Sequence, residues 1–265
     1  MKKLLYVISS LGGLLLAACQ KNNSSPANST TNSTSSANTS ISNGLPSASV
    51  NGVLIAQKLD FPSLSFTLYK SNAGFNSSAQ SLQVLNPFTT IVSATDYADT
   101  LKLNSTILKY ETVNPNSLNT YSDTVSASNY SGGVSWNLKG NATFPSFNTA
   151  VSRGFPTIAN TSLLPASFSK SNPLTITFGA GNITNADSIG LMLTGGSSGF
   201  GIYKSVGPGA TSITFSPAEM TNATAGSSNN QIFLYTKNYS NMTVNGKTYA
   251  YVMHYTLGAF VSITP

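Results

Sequence analysis

The sequence predicts an all-β protein, and two observations support that prediction. Ser, Thr, Asn, Gly, Tyr and Phe are abundant, a composition typical of strands and turns, and 40% of the 265 residues are hydrophobic. Short runs alternate apolar and polar residues with period two, as in residues 64–68 (LSFTL), whereas no helical period of comparable length is present. We therefore expect two β-sandwich domains, at residues 47–163 and 164–265.

The first domain is predicted from strand-like runs separated by Asn-Pro, Gly-Gly and Phe-Pro turn signals. Val134, Trp136 and Leu138 share one face of the last run. Trp136, the single tryptophan, is expected either to anchor the core or to offer an exposed platform for stacking on a sugar. The predicted strands are residues 50–57, 64–69, 88–94, 105–113 and 134–138.

The second domain is predicted to be immunoglobulin-like, because about seven short strands in roughly 100 residues are typical of such a sandwich. Residues 216–220 (SPAEM) are expected to form one helical turn, with Ser216 as the N-cap. The predicted strands are residues 174–178, 188–193, 200–204, 210–215, 231–235, 247–256 and 259–263.

The N-terminus is predicted to be a signal peptide followed by a tether. After Met1-Lys2-Lys3, residues 4–16 form an uncharged apolar run that is too short for a permanent membrane span and has the length of a cleaved signal. Residues 20–46 are almost entirely Ser, Thr, Asn and Ala. Such a composition cannot bury a core, so we expect a disordered tether that reaches about 30 Å.

The end of the apolar run, Leu16-Ala17-Ala18-Cys19, resembles the lipobox of bacterial lipoproteins. By that resemblance residues 1–18 are removed, and Cys19 becomes a lipidated first residue that anchors the protein to a membrane. Gln20, where an aspartate would imply retention in the inner membrane, implies the outer membrane and leaves open which side the protein faces. The alternative is an ordinary secretory signal with a chance cysteine.

A second, shorter resemblance lies in residues 134–138 (VSWNL) and 144–147 (FPSF). They are similar to a stretch of uncharacterised two-domain β-sandwich lipoproteins of the envelope of environmental Gram-negative bacteria. The resemblance implies an envelope location and is attached to no known activity.

Charge and residue counts narrow the classes of site. The chain has 13 basic and 7 acidic residues; removal of Lys2 and Lys3 with the signal leaves 11 basic residues and a net charge of +4. These basic residues are scattered singly, which disfavours nucleic-acid binding. The single cysteine allows no disulfide within the chain, and the single histidine, His254, excludes two-histidine zinc motifs.

A metal site would have to use oxygen ligands alone. Calcium could use the neighbouring acids Asp96 and Asp99 with backbone carbonyls, but a solvated loop is the favoured interpretation because no dense Asp/Asn/Gly loop surrounds them. We therefore expect no metal site and no cofactor.

Residues 195–199 (GGSSG) match the G-x-S-x-G pattern around Ser197, and Glu219 and His254 follow in the chain order of an α/β-hydrolase triad. A nucleophile elbow requires a strand before the serine and a helix after it. Residues 200–204 predict another strand instead, so a hairpin turn rich in Gly and Ser is the favoured interpretation.

Tyr249, Tyr251 and Tyr255 alternate with Val252 and His254 along one predicted strand. One face of that strand must be core. If the tyrosines face solvent, they form a row of rings suited to stacking on glycans. If they face inward, they are core residues, as aromatic stripes in strands usually are.

Three Asp-Ser/Thr-apolar triplets resemble the acceptor of a general O-glycosylation system described in some Gram-negative bacteria. The acceptor hydroxyls would belong to Thr100, Thr124 and Ser188. Ordinary strand starts are the alternative, because so short a pattern often matches by chance. A hydroxyl that receives a glycan must be exposed.

Together these features predict a lipid-anchored envelope protein that acts as a non-catalytic binding, adhesion or structural module. Its expected partners are the membrane, through the lipid, and glycans or other envelope proteins. The alternative is an envelope hydrolase that acts on glycans or esters, which requires a pair of acids, or Ser197 with His254, in one cleft.

Overall fold

The computed structural model describes residues 49–80, 84–85, 90–91, 96–113, 118–123, 130, 133–195, 200–226 and 230–265. The predicted signal peptide, Cys19, the tether, Thr124 and Ser197 lie outside these ranges. Within them the chain forms β-strands, one 3-10 turn (Pro62–Leu64) and loops, which confirms the all-β prediction. The strands are β1 (Val50–Phe61), β2 (Phe66–Gln80), β3 (Val84–Leu85), β4 (Thr90–Ile91), β5 (Leu101–Leu103), β6 (Thr106–Ile107), β7 (Lys109–Val113), β8 (Leu118–Asp123), β9 (Ser135–Leu138), β10 (Phe147–Ala150), β11 (Thr157–Ile158), β12 (Ser167–Ser169), β13 (Leu174–Thr177), β14 (Ile183–Thr184), β15 (Ser188–Gly195), β16 (Phe200–Val206), β17 (Ser212–Phe215), β18 (Gln231–Val244), β19 (Lys247–Phe260) and β20 (Ser262–Thr264).

One eight-stranded sheet forms the body of the protein, in the order β16-β15-β18-β19-β1-β2-β8-β7. Its neighbouring strands are antiparallel except β1 and β19, which run parallel from the pair Gly52 and Tyr249 to the pair Asp60 and Leu257. Four of its strands come from the first predicted domain and four from the second. The sheet therefore crosses the predicted boundary after residue 163, and the division into two domains stays a prediction.

β18 and β19 form a hairpin with 14 residues in each strand. Asn245 and Gly246 close it, and both have positive φ, 47° and 75°. This is the geometry of a type I′ turn, whose twist matches that of the strands it joins. The alternation of apolar residues predicted only residues 231–235 for the first strand, because the residues that follow are mostly polar.

The front face of the sheet, which carries Leu54, Tyr251 and Leu234, is covered by two separate layers. A four-stranded sheet in the order β10-β9-β5-β6 packs over one end, and the antiparallel pair β13 and β17 packs over the other. Each layer encloses its own hydrophobic core. The molecule thus has two sandwich-like cores on one sheet, while the immunoglobulin-like arrangement of the second half is not confirmed.

Trp136 lies at the centre of the first core. On β9 it is opposite Leu103 of β5 and Thr149 of β10, and only 1% of its surface is exposed. Val134 and Leu138, which share its face, are buried with it. The structure therefore fits the core interpretation of Trp136, and the ring has no exposed face on which a sugar could stack.

The back face of the sheet, which carries Ile55, Val252 and Tyr235, is buried as well. One apolar cluster surrounds Ile55 and Val252, and a second surrounds Phe61 and Phe233. Among the described residues, both clusters consist of strands of this sheet. Polar side chains, among them Gln57 and His254, lie between the two clusters.

A glycine on the back face makes room for a tyrosine. Gly190 of β15 pairs with Tyr235 of β18, and a Cβ atom added to Gly190 would lie 2.2 Å from Cζ of that ring. The Tyr235 ring stacks on Tyr203 with centroids 5.6 Å apart. Glycine is required in this strand because the ring of its neighbour occupies the space above it.

Candidate functional site

An open cleft of about 600 Å³ lies on the outward face of the four-stranded sheet. Ammonium, amide and hydroxyl groups line it, together with two residues, Leu138 and Phe147, whose side chains belong to the first core. The lining residues are Thr100, Lys102, Asn137, Leu138, Lys139, Ser146, Phe147 and Asn148. Several hydrogen-bonding groups that converge on a concave surface are typical of a ligand-binding site.

Strand register aligns the central polar side chains of the cleft. Lys102 of β5 pairs with Asn137 of β9, which pairs in turn with Asn148 of β10. Neighbouring strands lie about 4.8 Å apart, so the three side chains form a row about 10 Å long. Trp136 and Leu138 alternate with this row and face the first core, which fixes the row on the outward side.

The polar groups of the row are not used to hold the protein together. Within the part of the chain that the structure describes, the side chains of Lys102, Asn137, Ser146 and Asn148 form no hydrogen bond or ion pair. They can therefore bond to a ligand without breaking a bond inside the protein.

The two lysines of the cleft differ, because one has an acidic partner and the other has none among the described residues. Lys139 pairs with Asp99 at 3.5 Å, and the Asp99 carboxylate also accepts the Thr100 N–H at 2.6 Å and its hydroxyl at 3.1 Å. The hydrogen bond from the Thr100 N–H, supported by Lys139, holds the pKa of Asp99 below its ordinary value. Asp99 is therefore ionised at neutral pH and offsets Lys139, while Lys102 has no acidic partner within the described residues.

Tyr97 is an exposed aromatic residue in the segment of chain that leads to Thr100 of the cleft. Tyr97 is close to Thr100 in the chain, and its backbone carbonyl accepts the side-chain amide of Asn141 at 2.9 Å. Half of its surface is exposed, and its ring packs against Tyr110 at 4.8 Å and Tyr121 at 6.2 Å between centroids. A ring held in place by other rings and open on one side is suited to stacking on the apolar face of a sugar.

The tyrosines that the sequence offered as a stacking row lie in the interior instead. Tyr249 and Tyr251 belong to the first core and Tyr255 to the second, and none is more than 4% exposed. The Tyr255 hydroxyl donates to the carboxylate of Asp60 at 2.5 Å. Like Trp136, these rings cannot stack on a ligand from solution, because the faces of the strands that carry them are covered.

The three predicted O-glycosylation acceptors have different environments. Thr100 lines the cleft, is partly exposed, and donates its hydroxyl to Asp99. Ser188 is only 2% exposed, and because a buried hydroxyl cannot accept a bulky glycan, this burial argues against modification at that residue. Thr124 lies outside the described residues, and modification of Thr100 and Thr124 stays a prediction.

A row of polar side chains crosses the buried back face of the sheet. Strand pairing places Ser188, Lys237, His254, Gln57 and Lys70 side by side, and Lys237 and His254 are 1% and 0% exposed. Burial lowers the pKa of Lys237 to about 7. Burial and the charge of Lys237 lower the pKa of His254 well below its ordinary value. The row contains no carboxylate that could orient His254 as a catalytic base.

The residues of the hydrolase alternative have separate partners. The Glu219 carboxylate accepts the Ser216 N–H at 2.7 Å, and the Ser216 hydroxyl accepts the Glu219 N–H at 3.4 Å, which is a capping box around the predicted turn. Lys204 donates to the same carboxylate at 3.0 Å. His254 lies 3.2 Å from the Thr256 hydroxyl, on the buried back face. Glu219 is thus engaged in capping a turn and not in orienting the histidine.

Sequence reasoning did not single out the cleft. Lys102, Asn137 and Asn148 alternate with buried residues in their own strands, which marks each of them as outward-facing. Only the pairing of β5, β9 and β10 brings them together, and that pairing is not visible in a local pattern.

Within the described ranges, no group of three or more His, Cys, Asp or Glu side chains is placed to hold a metal ion. In the same ranges, no helix is long and apolar enough to cross a membrane. Comparison with known proteins gives no match: no family model, no curated protein and no solved structure is similar to this chain.

Proposed function

We propose that this chain is a lipid-anchored protein of the bacterial outer membrane that acts as a non-catalytic binding module and takes a glycan as its ligand. The observation that carries the proposal is the open polar cleft over β5, β9 and β10, with its unengaged amide, hydroxyl and ammonium groups. Sugar hydroxyls both donate and accept hydrogen bonds. The amides of Asn137 and Asn148 also do both, so the row of the cleft matches that chemistry.

The position of Tyr97 supports a glycan ligand. Sugars combine hydroxyl groups with apolar C–H faces, so a glycan site needs an aromatic surface as well as hydrogen-bonding groups. Tyr97, three residues before the cleft residue Thr100 in the chain, offers an exposed aromatic ring, and the row from Lys102 to Asn148 offers hydrogen-bonding groups. The row lies on paired strands above a packed core, so it is held in place before any ligand binds.

The N-terminal sequence supports the anchored location. The lipobox-like Leu16-Ala17-Ala18-Cys19 directs acyl chains to Cys19, and two or more chains give stable membrane binding. The predicted tether at residues 20–46 then separates the folded body from the lipid surface by about 30 Å. From that position the cleft can reach glycans, or glycosylated envelope proteins, near the membrane.

Binding of the purified full-length protein, kept in detergent, to an array of bacterial, plant and animal oligosaccharides tests this proposal. We expect the double variant Asn137→Ala/Asn148→Ala to lose about 10- to 30-fold in affinity, because each hydrogen bond contributes roughly 1 kcal/mol.

The matched control is Thr175→Ala/Thr214→Ala. These two threonines pair through their hydroxyls at 2.9 Å on β13 and β17, on the other covering layer, and they should leave binding unchanged. Failure of the wild-type protein to bind any glycan on the array would contradict the proposal. So would binding that the asparagine double variant retains in full.

A further inference from the structure

We infer that the cleft selects acidic glycans and that Lys102 binds the anionic group of the sugar. This inference rests on the proposed function and specifies the ligand of the same site. The shared chemistry is an oxyanion on a sugar ring, either the carboxylate of a uronic acid or a sulfate ester.

The charged residues that line the cleft favour an anionic ligand. Among the described residues, two lysines and no acidic residue line the cleft. The nearest described acid, Asp99, already accepts two hydrogen bonds from Thr100 and pairs with Lys139. Lys102 is left as the cation that a ligand can neutralise, and no described residue competes for it.

The partial burial of Lys102 strengthens its attraction to an anion. Its side chain is partly buried, whereas that of Lys139 is 72% exposed. A partly buried ammonium is screened less by water, so its attraction to an anion is stronger than that of a freely exposed lysine. Hydrogen bonds to a charged partner are also about twice as strong as those between neutral groups.

The neighbours of Lys102 in the row are suited to the hydroxyl groups of the same sugar. Asn137 and Asn148 continue the row on the next two strands, so an oxyanion at Lys102 places adjacent sugar hydroxyls over the two amides. An asparagine amide can donate a hydrogen bond to a hydroxyl group or accept one from it, whereas the lysine ammonium can only donate. Lys102 therefore binds the anionic group at one end of the row, and Asn137 and Asn148 bind the hydroxyl groups of the sugar along the rest of it.

Calorimetric titration of the full-length protein in detergent tests the inference with three probes. Hexagalacturonate carries carboxylates, its fully methyl-esterified form has the same sugar backbone without the charge, and a heparin hexasaccharide carries sulfates as well. We expect the wild-type protein to bind at least one acidic probe about tenfold more tightly than the neutral ester at low salt.

Lys102→Met is expected to remove this preference while it leaves the affinity for the neutral ester unchanged. Lys109→Met is the matched control, because Lys109 is equally cationic, is 72% exposed and lies on β7, outside the cleft. It should keep the preference. An unchanged thermal unfolding midpoint shows that Lys102→Met is folded.

The outcomes separate this inference from the function on which it rests. Equal affinity of the wild-type protein for the acidic and neutral probes would overturn the selection of acidic glycans and leave glycan binding standing. A preference that survives in Lys102→Met would overturn the role of Lys102. Absence of binding to all three probes would count against both.

Discussion

Replacement of Lys237 by methionine is expected to stabilise the protein at neutral pH. Lys237 is 1% exposed on the back face of the sheet, and burial lowers its pKa from the ordinary 10.5 to about 7. A shift of this size corresponds to about 4 kcal/mol of lost stability near pH 7, because the unfolded chain holds the lysine proton much more tightly. Methionine has a similar unbranched shape and no charge to desolvate.

The size of this effect depends on pH in a direction set by the lowered pKa. Well below about pH 7 the lysine is charged in both states, and the loss is largest, about 5 kcal/mol. Between about pH 7 and pH 10 the unfolded chain binds more protons than the folded one, so stability rises with pH and the loss falls to about 2 kcal/mol near pH 9. The advantage of Lys237→Met should therefore shrink by about 2 kcal/mol from pH 7 to pH 9.

Urea unfolding followed by far-UV circular dichroism, near pH 7 and pH 9, measures this difference. The charge of Lys237 acts on His254, but burial alone lowers the pKa of His254, so this histidine is neutral between pH 7 and pH 9 in both proteins and its contribution largely cancels. Lys70, in the same row, is present in both proteins. Lys109→Met, at a side chain that is 72% exposed, should show no such pH dependence. An advantage of Lys237→Met that stays constant with pH, or a destabilised variant at both pH values, would refute this reasoning.

Three further changes test the packing and the anchor. Trp136→Ala should lower the free energy of unfolding by about 3–5 kcal/mol, measured by urea unfolding, because it removes a buried ring and leaves a cavity in the first core. Gly190→Ala should lower it by about 1–3 kcal/mol, since the new Cβ would lie 2.2 Å from the Tyr235 ring, whereas Gly201→Ala, with no atom within 4 Å, should be neutral. Cys19→Ser should move the protein from the membrane to the soluble fraction, followed by detergent partitioning and intact mass; an unacylated, soluble wild-type protein would contradict the anchor.

Local alternation located several strands closely. The predicted strands 134–138 and 174–178 correspond to β9 (Ser135–Leu138) and β13 (Leu174–Thr177), because each alternates buried and outward-facing residues. It failed for the second half of β18, where Lys237 and Asn238 are polar and yet buried. A pattern method assigns such residues to the surface, whereas both faces of this part of the sheet are buried.

The main sheet could not be predicted from local patterns. Its central contact joins β1 to β19, and the Thr248 N–H donates to the side chain of Asn51 across 197 residues of sequence. Pairing between such distant segments leaves no local signature, so the sequence suggested two separate domains. Turn chemistry is more informative here than alternation, because Asn245-Gly246 by itself indicates the hairpin of β18 and β19.

The sequence indicated the type of residue that a glycan site needs, an exposed aromatic ring, but not the position of that ring in the chain. Sequence reasoning offered Trp136 and the row Tyr249, Tyr251 and Tyr255 as possible surfaces for stacking on glycans, and it favoured a core position for both. Period-two alternation shows that such residues share a face but not whether that face is covered, and here both faces of β19 are buried. The most exposed of the described tyrosines is Tyr97, which lies in a loop and outside any periodic pattern.

The central claim is that the polar cleft over β5, β9 and β10 binds a glycan. Titration of hexagalacturonate into the ¹⁵N-labelled full-length protein, followed residue by residue through amide chemical shifts, tests it most directly. We predict that the largest changes fall on Lys102, Asn137 and Asn148 and saturate with ligand concentration. Changes that concentrate on the other covering layer, or none at the highest ligand concentration, would contradict the claim.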